Sequence, residues 1–390
     1  MMPARGSLIA RNRALSQATM SMPAHESLLA DNRKMPEPTP EVGSPHAEFL
    51  TDRTQQFGEE HCFLCGKHVP LGSADRTREH VFPKWLLRAL DMWDASVNQI
   101  DGRPLRYRQL TVPCCSVCNG VDLSEIESRV RIAFDVGPDA FRSLDRRDLF
   151  LWLGKIYYGL VYKESLQPLY VREAEGRRLV PAEHLRSVAF HHFLLQAASG
   201  AVRWEPAQPG PATFHFFECL DSDQPRRRFD YMDDLFVPML GIRMGRIGVI
   251  AVLQDWGRSE GVQQPHIDAA RSFALHPTQF REAYARLAYM TASSWQDLSH
   301  AVIAQDGVAT VVTGSPGGFD GTWVWSDFAP RLAAAWGVSV EAIYDGENGM
   351  STIGGGHSAP IPVESMDVAF VASFSGQALW PHSDVFVGTS

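Results

Sequence analysis

Cys62-Phe63-Leu64-Cys65 and Cys115-Ser116-Val117-Cys118-Asn119 bracket the run Arg78-Glu79-His80-Val81-Phe82-Pro83-Lys84-Trp85-Leu86, and this stretch decides the fold of its region. Two C-x2-C pairs offer four thiolates on two tight knuckles, the tetrahedral soft-ligand shell that Zn²⁺ prefers. Gly66 follows the first pair, where such a turn needs a residue tolerant of unusual backbone angles. After the second pair, Leu123, Ile126 and Val130 recur at helical spacing. Cys114 reads as a packed neighbour of the cluster and Cys219 as a lone buried apolar residue. His61 and His68 flank the first knuckle; with four cysteines in place they need not be ligands.

The rest of the composition bounds the problem. With 390 residues, 45% hydrophobic and 21% charged, the chain can bury a core and suits two or three domains. Six cysteines in this length exclude a disulfide scaffold. Lys+Arg 36 against Asp+Glu 45 gives a net charge of −9, which leans against a nucleic-acid partner. That lean is an average over unlike parts, because Arg76, Arg78, Lys84 and Arg88 flank His80, and Arg103, Arg106 and Arg108 precede the second knuckle. The run Arg226-Arg227-Arg228 is a weaker basic candidate, since Asp233-Asp234 follows it. No uncharged apolar run of 18 residues exists and no compact apolar stretch opens the chain, so neither a membrane helix nor a secretory signal is expected and the location expected is cytoplasmic.

Along the chain, Met2-Pro3-Ala4 with Ser7 to Arg13 recurs as Met22-Pro23-Ala24 with Ser27 to Arg33, a duplication too short for a solenoid. It reads as a disordered leader, followed by a proline-rich linker over residues 34–48; together they make up residues 1–50. A small zinc domain is expected over 55–135, a mixed α+β domain over 140–300, and an α/β extension with a Gly/Ser-rich tail over 301–390. Helices are predicted over 149–162, 182–198, 278–289 and 327–336, and strands over 213–217 and 247–253; the segment 302–312 precedes a glycine-rich turn. Pro83 to Leu87 predicts a short helix with Trp85 and Leu86 packed inward. The glycine runs 314–318 and 354–356 match no phosphate-binding loop and read as turns.

An acid beside a histidine, a proline three residues on, then C-x2-C-Asn is a specific set. On these residues the chain resembles the HNH endonucleases, the ββα-metal nuclease family, in their four-cysteine form. Phage-type junction resolvases carry a comparable series. Some uncharacterised bacterial proteins look closer still, with Glu-His-x-x-Pro-Lys-Trp-Leu and a Ser-x-x-Glu after the asparagine. The resemblance covers roughly residues 58–135. It implies an α+β chain whose small ββα-metal, treble-clef zinc domain precedes a larger mixed α+β domain.

It also implies a function: hydrolysis of DNA phosphodiester bonds, and by association a role in bacterial defence. His80, a residue type whose unperturbed pKa lies near 6.5, would be the general base. Glu79 and Asn119 would hold one Mg²⁺ or Mn²⁺, apart from a structural Zn²⁺ on Cys62, Cys65, Cys115 and Cys118. Arg76, Arg78, Lys84 and Arg88 would touch phosphates. Adjacent residues of a strand face opposite ways, so Glu79 reaches such an ion only if a twisted hairpin and a facing helix bring it there.

Two departures stand out. The acid is Glu where Asp is common, and no His or Asn fills the third family position on the helix. Asp122, Glu125 and Glu127 lie nearby; Glu127 matches the acid of the bacterial proteins, yet Ser124-x-x-Glu127 is also a helix-starting capping box. Asn119 is equally readable as a helix cap, and Glu79-His80 alone as a structural pair. The competing function is a non-catalytic treble-clef zinc protein that binds nucleic acid or a protein partner. A homo-oligomer or a protein partner held through the C-terminal region completes the expected partners.

Overall fold

The computed structural model describes residues 8–9, 57–99, 102–168, 178–180, 185, 188–205, 207, 209–234, 237–261, 265–294, 300–313, 323–347 and 349–353. The proline-rich linker, the glycine runs at 314–318 and 354–356, the tail beyond them, and the duplicated leader apart from residues 8–9 lie outside the described residues.

The motif region is built from β1 (Arg76–His80), α1 (Lys84–Ala89), β2 (Ser96–Asn98), β3 (Pro104–Arg106) and β4 (Thr111–Cys115). Strands β1 and β4 are antiparallel, with Arg76 opposite Cys115 and His80 opposite Thr111, so the second knuckle sits at the start of the strand that carries the histidine at its end. Pro83 caps α1 from an extended conformation, φ −54° and ψ 140°, suited to a residue whose φ is fixed. After Cys115 the chain makes a wide helical turn over Cys118–Asp122 and runs directly into α2 (Leu123–Val136). Ser124 therefore lies inside the helix, and the capping-box reading of Ser124 and Glu127 falls. Gly137, at φ +125°, ends α2 and leads into the short α3 (Pro138–Arg142).

The long apolar run forms α4 (Arg146–Ser165), opened by Asp145, whose carboxylate accepts from Arg147 N at 2.7 Å. Almost every residue from Asp148 to Tyr162 is buried, so this helix is central and not a surface helix with one wet face. Further on come α5 (Ala189–Leu194), β5 (Val202–Glu205), β6 (Ala212–Glu218), β7 (Phe229–Asp234), β8 (Met239–Met244), β9 (Ile247–Leu253), α6 (Pro265–Ala270), α7 (Pro277–Ser294), β10 (His300–Gln305), β11 (Val308–Thr313) and α8 (Trp325–Trp336). The helix expected over 182–198 is α5 continued as a tighter turn over Leu195–Ser199; residues 182–184 and 186–187 lie outside the described residues. The segment 302–312 lies in the β10–β11 hairpin, which turns at Asp306-Gly307.

Strands β6, β9, β8 and β7, in that order, form an antiparallel sheet whose two faces are both covered. Val249, Ala251 and Leu253 pack with the α4 side, whereas Ile250 and Val252 pack with Phe280, Ala283, Tyr284 and Leu287 of α7. Double coverage explains why Ile247 to Leu253 is apolar throughout, where a half-exposed strand would alternate. A second sheet adds β5 in parallel to β11 of the hairpin.

One apolar cluster runs from Cys62 through α4 to Val311, so the cysteine-knuckle region and the chain beyond residue 140 share a core. Phe82 stands edge-on to Tyr107, Phe229 and Tyr231, with centroids 5.0–5.7 Å away, which docks the motif loop on the sheet. Arg129 of α2 makes a two-pronged ion pair with buried Asp148 of α4, at 2.5 and 2.8 Å.

Candidate functional site

The four predicted thiols come together. The Sγ atoms of Cys62, Cys65, Cys115 and Cys118 all lie within 4.8 Å of one another. Cys65 and Cys115 are 3.8 Å apart, close to the ~3.8 Å edge of a tetrahedron with 2.3 Å metal–sulfur bonds. The first knuckle closes through Cys62 N to Lys67 O and Gly66 N to Cys62 O, both 2.9 Å, with Gly66 at φ +77° as its role required. At the second knuckle Cys118 N points at Cys115 Sγ, 3.5 Å away. All-sulfur donors at this spacing fit a structural metal ion. Cys114 is buried beside the set, its Sγ 3.7 Å from that of Cys62.

A cavity of about 640 Å³ is lined by Arg78, Glu79, His80, Pro83, Lys84, Trp85, Arg88, Ala89, Asn119, Glu127 and Arg131. Three structural units converge on it: the end of β1 with α1, the turn after the second knuckle, and α2. The β1–β4 ladder sets the first and second of these in register, because Cys115 ends β4 opposite Arg76 and the turn carrying Asn119 follows it directly.

Asn119 does not cap the helix. Its amide nitrogen donates to Thr77 Oγ1 at 2.9 Å and to Arg78 O at 3.4 Å, cross-tying the helix start to β1. Glu79 is 6% exposed and turns towards α4, where its carboxylate accepts from Lys155 Nζ. The same ammonium donates to Glu127 Oε1 at 2.6 Å and to His80 O at 2.9 Å. Burial pushes the Glu79 carboxyl up, and the lysine works against that. Lys155 is itself held above its ordinary value, since Glu127 and Glu79 outweigh the cost of burying its charge.

His80 is half-buried and stacks on Trp93, centroids 5.7 Å apart. Burial, then Lys84, Lys155 and Arg88, push its imidazole down to about 4, so the ring is neutral at pH 7. Glu79, buried against α4, and His80, half-buried against Trp93, both belong to the wall of the one cavity.

Of the four expected phosphate contacts, Arg78, Lys84 and Arg88 line the cavity. Arg76 does not: its guanidinium donates to Val69 O at 2.7 Å and lies 3.7 Å from Glu59, tying the first knuckle to β1. Arg103 donates to Pro168 O at 2.8 Å, Arg106 and Arg108 face Asp94, and Arg226 is paired with Asp91 at 2.7 Å. Sequence reading missed Arg131 and Lys155. Arg131 stands four residues after Glu127, so helical spacing alone would have put it on the same face. Lys155 gave one signal, a lone charge in an apolar helix.

The chain was compared with known protein families, with characterised proteins and with solved structures, and none matches.

Proposed function

We propose that the chain is a metal-dependent endonuclease of the HNH kind that hydrolyses DNA, with Zn²⁺ on the four cysteines as a structural ion. The observation that carries this reading is the convergence of Glu79, His80, Asn119 and Glu127 with four cations, Arg78, Lys84, Arg88 and Arg131, around one cavity. A structural zinc finger needs no such convergence.

The chemistry follows from the side chains. Neutral His80 can accept the proton of an attacking water, as a general base must at neutral pH. The four cations bind the phosphodiester backbone without reading its sequence. Asn119 and Lys155 hold the end of β1 rigid, so that the imidazole is presented in one orientation. Glu127 and Glu79 each give Lys155 one carboxylate oxygen, and a carboxylate has a second, so with Asn119 they offer the oxygen donors a hard divalent ion takes. What Mg²⁺ or Mn²⁺ held there would supply is neutralisation of charge on the phosphate.

The test is incubation of zinc-loaded wild type and His80→Ala with plasmid and single-stranded DNA, with and without Mg²⁺ or Mn²⁺. Divalent-dependent nicking that falls about 100-fold or more in His80→Ala is expected. Equal nicking by the variant overturns the assignment of the base. DNA binding with no nicking under any condition favours the second reading, a non-catalytic zinc protein. The observation behind that reading is that Lys155 already engages both carboxylates.

A further inference from the structure

Lys155 is 1% exposed in the middle of α4, between Leu153 and Ile156, which are wholly buried. An ammonium has three protons to donate, and here they meet three oxygens: Glu79 Oε1, Glu127 Oε1 and the carbonyl of His80. These belong to two different elements, β1 and α2, and α4 brings a third to them. Close approach of α4 to the motif is possible because Gly159, one turn beyond Lys155, faces Val81; a Cβ there would lie 3.2 Å from Val81 Cγ2.

We propose that Lys155, buried behind Glu79 and Glu127 of the cavity wall, is a positioning residue that draws the two carboxylates together and neutralises one of their two charges. A divalent ion entering the cavity then meets a pair with a single net negative charge, so it binds weakly and exchanges readily. Without the lysine the two carboxylates repel each other and the divalent ion becomes their only compensation. The inference rests on the reading that the cavity takes a divalent ion.

The experiment compares zinc-loaded wild type, Lys155→Met, Glu127→Gln and the double variant by thermal melting and by Mn²⁺ titration calorimetry. Lys155→Met should melt roughly 5–10 °C lower without added divalent ion, as expected for a buried charge pair that loses one partner. It should bind Mn²⁺ at least about tenfold more tightly than wild type, and Mn²⁺ should raise its melting temperature more. Adding Glu127→Gln should restore much of the lost stability and abolish the gain in Mn²⁺ affinity. Unchanged or weaker Mn²⁺ binding in Lys155→Met overturns the proposal. If Lys155→Met alone does not fold, a folded double variant supports the proposal and an unfolded one overturns it. Neither readout involves DNA, so a chain that behaves as expected yet cuts no DNA overturns the nuclease reading and leaves Lys155 as the compensating cation of the two carboxylates.

Discussion

The ammonium of Lys155 donates to the backbone carbonyl of His80 at 2.9 Å, across 75 residues of sequence. The strand end that carries the histidine is thus fastened to the central helix of the chain, and the candidate site is not confined to the cysteine-knuckle region. Residues 58–135 hold the cavity wall; α4 supplies the cation beneath it.

Gly159 measures how close that fastening is. A Cβ at this position would lie 3.2 and 3.3 Å from the two γ-carbons of Val81. Gly159→Ala gains helix propensity of about 1 kcal/mol, yet crowding should outweigh it and lower stability by a net ~1 kcal/mol. In a Val81→Ala background the crowding disappears, and the same substitution should stabilise. Urea denaturation of the four proteins reads the reversal; the same sign in both backgrounds would refute the contact.

Metal removal should act on the fold before it acts on any chemistry. Cys115→Ser or Cys118→Ser is expected to abolish stoichiometric metal and unfold the β1–β4 pair with the start of α2. Cys114→Ala, beside the cluster but outside it, should keep one metal per chain and lose only core packing of roughly 1 kcal/mol. Metal analysis with circular dichroism before and after chelation checks both.

The cations divide into two groups that salt dependence can separate. Arg78→Gln, Arg88→Gln and Arg131→Gln should each weaken DNA binding and reduce the slope of log K against log salt by about one. Arg76→Gln should leave that slope unchanged and destabilise the first knuckle, because its partner is Val69 O. Fluorescence anisotropy over a range of salt concentrations distinguishes them.

Acid should weaken the core through two buried histidines. Burial pushes His191 down to about 4, its Nε2 facing Gly154 O at 3.1 Å. His215 is pushed to about 3, by burial and then by Arg271 and Arg146. Both are neutral when folded and take up a proton near pH 6.5 when unfolded. Their stabilisation is therefore complete above pH 6.5 and falls as pH drops through 5 towards 4, by up to about 1.4 kcal/mol per pH unit for each histidine. Denaturant midpoints at pH 7, 6 and 5 should decline, and His191→Gln should flatten the decline; an unchanged slope would refute its part.

Much of the candidate site was legible because its chemistry lies in short spacings. Two C-x2-C pairs specify their own knuckles; Glu79 and His80 are placed by β1, and Asn119 by the turn that begins at the second knuckle. Helix α4 and strand β9 were legible from apolar runs of the right length. Two features were not. The role of Glu127 depended on whether a helix began at Ser124 or before it, and the turn over Cys118–Asp122 settled that by running straight into α2. Arg76 looked identical in sequence to Arg78, two residues on, and only the position of Val69 O separates them.

The sequence by itself determined the four-thiol cluster, the identity of the acid–histidine pair and the α+β class, since each follows from local spacing and side-chain chemistry. The tertiary structure alone decided that a lysine far along the chain compensates two carboxylates of the motif. Charge compensation in a buried site depends on distances of a few ångströms between elements remote in sequence, and no local pattern encodes which helix will supply the cation.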